Sequence, residues 1–193
     1  MKHQTKRIVA IVLIIAISIG LGFTVDSVWT LIERRIYPLK YDEAVSAASE
    51  EFDVPKHVIY ATIKVESGFD PDAVSRSDAR GLMQMVRPTF EWLAGDEHLG
   101  EHISYSEVFE VDTSIRYGTY YLSYLYKKFD YNWDTALAAY NAGEGNVAKW
   151  LADTEYSDGN GNLTNIPCPE TEKYVRKINR AIEMYQKLYP EHM

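Results

Sequence analysis

Apolar residues recur at helical spacing through almost the whole chain from Tyr41 onward. The alanine-rich segment from Asp42 to Phe52 shows this pattern, and so does the segment after Pro169. No sustained alternation of period two, which is typical of half-buried strands, interrupts it. The sequence therefore predicts a single, mainly α-helical domain over residues 41–189, with short irregular strands near Gly81.

An uncharged run rich in Ile, Val and Leu occupies residues 8–25. As a helix it would be roughly 27 Å long at about 1.5 Å per residue, close to the hydrocarbon thickness of a bilayer. Basic residues precede the run, and no small-x-small cleavage motif follows it. We predict a cytoplasmic tail (1–7), an uncleaved transmembrane anchor (8–28) and a stalk (29–40), with the domain on the wall side of the cell membrane. A cleaved signal peptide and a buried core helix are the alternatives.

The charge balance argues against nucleic acid as a partner. The net charge is −8 although several basic residues lie before the apolar run, so the rest of the chain is more acidic still. Proteins that bind nucleic acid need clustered Lys and Arg to displace counterions from phosphates. We therefore expect no nucleic-acid partner.

Metal-binding patterns are weak in this sequence. Cys168 is the only cysteine, so neither an intrachain disulfide nor a cysteine metal cluster can form. The segment with Asp158, Asn160 and Asn162 resembles the start of a calcium loop, but Leu163 stands where the sharp-turn glycine belongs. We interpret it as a solvated loop, with a calcium site as the alternative, and expect no metal and no cofactor.

Glu66 stands at the end of a helix that begins after Pro55. Helical spacing places it on the same face as Ile59, Thr62 and Ile63, which should point inward. Burial penalises the charged form of a carboxylate, so its pKa should rise, as a general acid requires. The alternative is an exposed glutamate in the last turn of a helix.

Four sequence blocks follow one another between residues 66 and 175. They are Glu66-Ser67-Gly68-Phe69, Ser75 to Gly81-Leu82-Met83-Gln84, Ala138-Ala139-Tyr140-Asn141-Ala142-Gly143, and Pro169-Glu170-Thr171 with Tyr174-Val175. In this order they resemble the lytic transglycosylase (SLT) family, whose fold is of the goose-type lysozyme kind. One departure is Met85-Val86-Arg87-Pro88, where the family often carries Ile-Met-Pro.

The resemblance implies a peptidoglycan lytic transglycosylase. Glu66 would protonate the oxygen that links N-acetylmuramic acid to N-acetylglucosamine. As a base, it would then take the proton of the muramic C6 hydroxyl, which closes onto C1 to give a 1,6-anhydro end. Tyr174 resembles the family tyrosine that reaches the carboxylate or the sugar. Substrate-binding residues implied in the same way are Ser75, Ser77, Met83, Gln84, Tyr140 and Asn141.

Each of these residues also has an ordinary structural interpretation. The two serines suit a plain turn, Asn141 suits a helix cap, and Met83 and the two tyrosines suit a core. A hydrolytic lysozyme of the same fold is the nearest rival function, and it would need a second carboxylate, for which Asp70, Asp72 and Asp78 are candidates. An inactive wall-binding module is a further alternative. We expect the partners to be peptidoglycan glycan strands and, through the N-terminal helix, the membrane, and we expect a monomer.

Overall fold

The structure is a computed structural model that describes residues 27–193 and four isolated positions before them, residues 7, 18, 20 and 25. The chain divides into two compact units, Met1–Pro38 and Leu39–Met193. Each unit is described by itself.

In the first unit, residues 27–36 are helical. Within this helix, the Trp29 indole donates a hydrogen bond of 2.9 Å to the Glu33 carboxylate. Among the described residues, no helix has both the length and the apolar character needed to cross a membrane. The predicted tail and anchor, residues 1–7 and 8–28, lie for the most part outside the described residues, so the anchor stays a prediction.

The unit Leu39–Met193 is helical, as the spacing of its apolar residues predicts. Its elements are α1 (Asp42–Phe52), α2 (Lys56–Glu66), α3 (Arg87–Ala94), a 3₁₀ helix (Tyr105–Phe109), α4 (Val111–Lys128), α5 (Trp133–Ala142), α6 (Glu144–Leu151) and α7 (Pro169–Leu188). Strand pairing in this unit is limited to isolated bridges, and two of them, Val74 with Arg80 and Arg80 with Met85, involve the residue next to Gly81. The prediction of a mainly α-helical domain is confirmed.

Helix α2 lies at the centre of the unit. Six consecutive residues, from Val58 to Ile63, are buried, so the helix is enclosed around its circumference. It packs mainly against α7, where the rings of Tyr60 and Tyr185 stack at 5.3 Å. The Tyr60 hydroxyl also donates a 2.6 Å hydrogen bond to Asp42 in α1. Helix α2, which ends at Glu66, is therefore held from two sides.

The loop between α2 and α3 folds back against the 3₁₀ helix. Gly81 has a φ of +74°, and a Cβ there would collide with the carbonyl oxygen of Val108. Only glycine allows this approach at that backbone angle. The Tyr105 hydroxyl lies 2.8 Å from the carbonyl oxygens of both Asp78 and Met85. These contacts fix the loop that carries the predicted serines.

Candidate active site

Glu66 lines a cavity of about 410 Å³ in the unit Leu39–Met193. Helix α2 ends immediately after it, where the Ser67 amide donates to the Ile63 carbonyl. Five of the six predicted substrate residues line this cavity beside Glu66, namely Ser75, Ser77, Gln84, Tyr140 and Asn141. Folding thus brings together residues from three separate sequence blocks.

Tyr174 contacts the catalytic candidate directly. Its hydroxyl donates a 2.7 Å hydrogen bond to Oε1 of Glu66 across 108 positions of sequence. The Tyr174 side chain is buried, and burial, followed by the nearby Glu66 carboxylate, raises the pKa of the phenol well above its usual value. The phenol therefore stays protonated and remains a hydrogen-bond donor to the carboxylate.

Burial raises the pKa of Glu66 to about 7, from its usual 4.5. The hydrogen bond from Tyr174 acts in the opposite direction, because it favours the charged form, but it is the smaller effect. A carboxyl group that titrates near neutral pH can donate a proton in one step and accept one in the next. The Glu66 side chain is thus one that can be either protonated or ionised near neutral pH.

Tyr140 forms a fixed wall of the cavity. Its hydroxyl donates to the Met83 carbonyl oxygen at 2.8 Å, and its ring lies 5.3 Å from that of Tyr121. Burial, followed by the charge of Glu66, raises its pKa well above the usual value. Both ends of this side chain are thus engaged with the protein.

Met83 is placed differently from the expectation that it walls the groove. It is fully buried and is absent from the cavity lining. Its side chain packs onto Gly118 of α4, where an added Cβ would collide with the Met83 sulfur. Because α4 covers it, Met83 serves the site through its carbonyl oxygen, which holds Tyr140.

The two amide side chains in the cavity are oriented by neighbouring groups. Gln84 Nε2 donates to the carbonyl oxygens of Ala73 and Gly81, at 3.1 and 3.0 Å. Asn141 Oδ1 accepts a 2.8 Å hydrogen bond from the buried Thr171 hydroxyl. This leaves Oε1 of Gln84 as an acceptor and Nδ2 of Asn141 as a donor, which together match the N–H and C=O of an acetamido group.

Both serines line the cavity, and one of them also builds the turn. Ser75 Oγ accepts from the backbone amides of Ser77 and Ala79, at 3.2 and 3.0 Å. The turn interpretation of Ser75 is therefore realised together with its place at the cavity. Ser77 is exposed and lines the same wall.

The carboxylates that the sequence suggested for a hydrolytic reaction lie elsewhere. Asp70, Asp72 and Asp78 are absent from the lining of this cavity. Asp78 is paired with Arg80 at 2.8 Å, and Asp70 accepts from the Asp72 amide. Glu170, which the sequence reasoning missed as a cavity residue, lines the cavity instead. The signal was its position in the fourth block, next to Thr171.

In the loop that resembles a calcium site, groups of the loop itself donate hydrogen bonds to the Asp158 carboxylate. Asp158 accepts from the backbone amides of Asn160 and Asn162, at 2.7 and 3.1 Å, and from the Asn162 side chain at 2.8 Å. Among the residues that the structure describes, no three His, Cys, Asp or Glu side chains gather into a group that could hold a metal ion.

Comparison with known proteins gives matches over most of the unit that holds this site. A family model described as "Transglycosylase SLT domain" matches residues 43–162. The soluble lytic murein transglycosylase of Salmonella typhimurium is 31% identical over 151 residues, 78% of this chain and 23% of that protein. The protein of the same description in Escherichia coli is 30% identical over 162 residues, 83% of this chain and 25% of that protein. The chain thus spans about a quarter of the length of these relatives.

Solved structures with similar folds include the 70 kDa soluble lytic transglycosylase of Escherichia coli. It matches with a TM-score of 0.73 and 28% identity, over 80% of this chain and 25% of that one. An inactive mutant of the lytic transglycosylase Slt from Pseudomonas aeruginosa matches with a TM-score of 0.69 and 30% identity, over 79% of this chain and 25% of that one.

Proposed function

The chain belongs to the transglycosylase SLT domain family, which has a lysozyme-like fold, and from this premise we propose that it is a peptidoglycan lytic transglycosylase. The observation that carries the proposal is the half-buried carboxyl group of Glu66, which lines a cavity, has a raised pKa and accepts a hydrogen bond from Tyr174. The cavity also offers the oriented amides of Gln84 and Asn141. An acid beside groups that fit an N-acetyl substituent suits a glycan of N-acetylated sugars.

In the proposed reaction Glu66 acts twice. Protonated Glu66 gives its proton to the oxygen between N-acetylmuramic acid and N-acetylglucosamine while the bond from C1 to that oxygen breaks. The carboxylate then takes the proton of the muramic C6 hydroxyl, whose oxygen forms a new bond to C1. Glu66 returns to its protonated form, and the product carries a 1,6-anhydro end. No attacking water enters, so one carboxylate serves where hydrolytic glycosidases use two.

Tyr174 stabilises the charged form of Glu66 between the two proton transfers. After the first proton transfer Glu66 is charged in a site that burial makes unfavourable for charge. The hydrogen bond from Tyr174 then strengthens, because its acceptor carries a full negative charge. The tyrosine thus limits the energy cost of the carboxylate form without abolishing the acid form.

A hydrolytic lysozyme is the second candidate, and Glu170 at the cavity wall is the observation that favours it. Analysis of the products separates the two reactions. Purified peptidoglycan digested by the protein is expected to give fragments with an anhydro end, lighter by one water molecule than the hydrolytic fragments. Mass spectrometry of the digest tests this, and new reducing ends in place of anhydro ends would favour the lysozyme.

The proposed place of action is the wall side of the cell membrane, with residues 8–28 as the anchor, and the protein working as a monomer on glycan strands. The support is the length and the uncharged character of the run at residues 8–25.

Fractionation of cells that express the full chain should recover it with membranes. A chain that starts at residue 29 should be recovered in the soluble fraction. An equal distribution of the two chains between the membrane and soluble fractions would contradict the anchor.

Thr171 offers a test of how the site is positioned. Its hydroxyl holds Oδ1 of Asn141, so Thr171→Val frees this amide to rotate away from its substrate-binding orientation. We expect the KM for soluble glycan strands to rise about fivefold, which corresponds to the loss of one hydrogen bond, with kcat little changed. Thr171→Ser restores the hydroxyl and should restore the KM. A fall in kcat that serine fails to rescue would contradict the positioning role.

A further inference from the structure

A second cavity adjoins the one that holds Glu66. It has a volume of about 430 Å³. The two cavities share three wall residues, Thr89, Tyr121 and Gly143. A chain-like ligand bound at Glu66 can therefore continue along the same surface into the second cavity.

Trp92 is the dominant feature of this second cavity. It is 39% exposed, which is unusual for so large an apolar ring. Its ring is fixed by edge contacts with three aromatic neighbours, at 4.0 Å from His98, 5.1 Å from Tyr124 and 6.3 Å from Tyr121. A ring that is both exposed and immobile loses little conformational freedom when a ligand stacks on it.

The polar wall of the same cavity is a carboxylate. Glu144 is held by a 2.8 Å ion pair with Lys128, whose ammonium group also donates to the Tyr124 hydroxyl. No lysine or arginine of the described residues lines this cavity. A carboxylate held in place in this way can accept hydrogen bonds from the hydroxyl groups of a ligand in the cavity.

We propose that this second cavity is a further saccharide subsite, one that binds a sugar of the glycan strand beyond the pair at the cleavage point. The C–H face of a pyranose ring stacks on Trp92, and its hydroxyls donate to Glu144. This inference rests on the proposed function, because the proposed function identifies the ligand as a glycan strand. Its consequence is that affinity depends on strand length through Trp92.

Calorimetric titration of the Glu66→Gln protein with peptide-free glycan oligomers tests this proposal, because the strand then stays intact. Two lengths are compared, a disaccharide and an octasaccharide. Adding Trp92→Ala is expected to weaken binding of the octasaccharide about tenfold and to leave the disaccharide unchanged. Tyr131→Ala is the matched control, since Tyr131 is 66% exposed and lines neither cavity. It should leave both affinities unchanged.

A second variant blocks the subsite without removing the tryptophan. Gly145 lines the same cavity, and a Cβ built on it meets no heavy atom within 4 Å. Gly145→Tyr therefore fills open space instead of disturbing the core, and it should weaken binding of the octasaccharide as Trp92→Ala does. Because it leaves the aromatic cluster intact, this variant decides the question if Trp92→Ala fails to fold.

Two results would overturn the subsite. One is unchanged affinity of both variants for the octasaccharide, and the other is an equal loss for both oligomers, which would place the effect at the cleavage pocket. The proposed function fails separately, when the wild-type protein leaves peptidoglycan intact and the Glu66→Gln protein binds neither oligomer. That outcome would remove the subsite as well.

Discussion

Glu66→Gln is expected to slow release of anhydro products from peptidoglycan by at least about a thousandfold. Glutamine has nearly the shape of glutamate, and its amide oxygen can still accept the hydrogen bond from Tyr174. It can neither give a proton to the glycosidic oxygen nor remove one from the C6 hydroxyl. Both steps of the proposed reaction therefore fail together, while the cavity keeps its form and its affinity for glycan.

The measurement is the initial rate of product release, with zymography on wall material as a simpler form. Glu172→Gln is the matched control, because Glu172 lies on the same helix as Tyr174, is exposed, and is absent from the cavity lining. It should behave as the wild type does. Equal clearing of wall material by Glu66→Gln and by the wild type would end the assignment of Glu66 as the catalytic group.

Glu170→Gln distinguishes the two candidate reactions. A transglycosylase needs no second carboxylate, so this variant should retain most of its kcat, whatever its affinity for glycan. A hydrolytic enzyme that used Glu170 to position water would lose most of its rate. Comparison of the Glu66 and Glu170 variants thus tests the chemistry independently of product analysis.

Periodicity predicted the helical class, and it placed Glu66 on the same face of α2 as Ile59, Thr62 and Ile63. These three residues are buried, and Glu66 is half-buried beside them at the cavity. Helix α6 and the 3₁₀ helix were not predicted, and for α6 the reason is physical. Helix α6 begins directly after Gly143, whose φ of +85° ends α5, and it buries a single residue, Val147. A helix of eight residues with one buried side chain leaves almost no apolar pattern.

Contacts between distant residues lay beyond reasoning from single residues. The hydrogen bond from Tyr174 to Glu66 joins two helices, and only the resemblance to a family suggested it. The bond from Thr171 to Asn141 was missed altogether, because it requires α5 and α7 to pack side by side. The sequence offered Met83 both as a substrate-binding residue and as a core residue, and it could not decide between them for the same reason. Its burial depends on Gly118 in α4, and nothing in the sequence links the two positions.

The same raised pKa that suits Glu66 to catalysis should cost stability at high pH. The Glu66 pKa is about 7 in the folded chain and is expected to be near the usual 4.5 in the unfolded chain, so the folded state holds its proton more tightly. Between these values the unfolded state binds fewer protons, and the free energy of unfolding falls as the pH rises, by up to about 3 kcal/mol once both states are ionised.

Glu66→Gln removes this proton linkage. In urea titrations at a series of pH values, the gain in stability of the variant over the wild type should be larger at pH 8 than at pH 4, by up to that amount. A difference in stability between Glu66→Gln and the wild type that stays constant with pH would mean that folding leaves the Glu66 pKa unchanged.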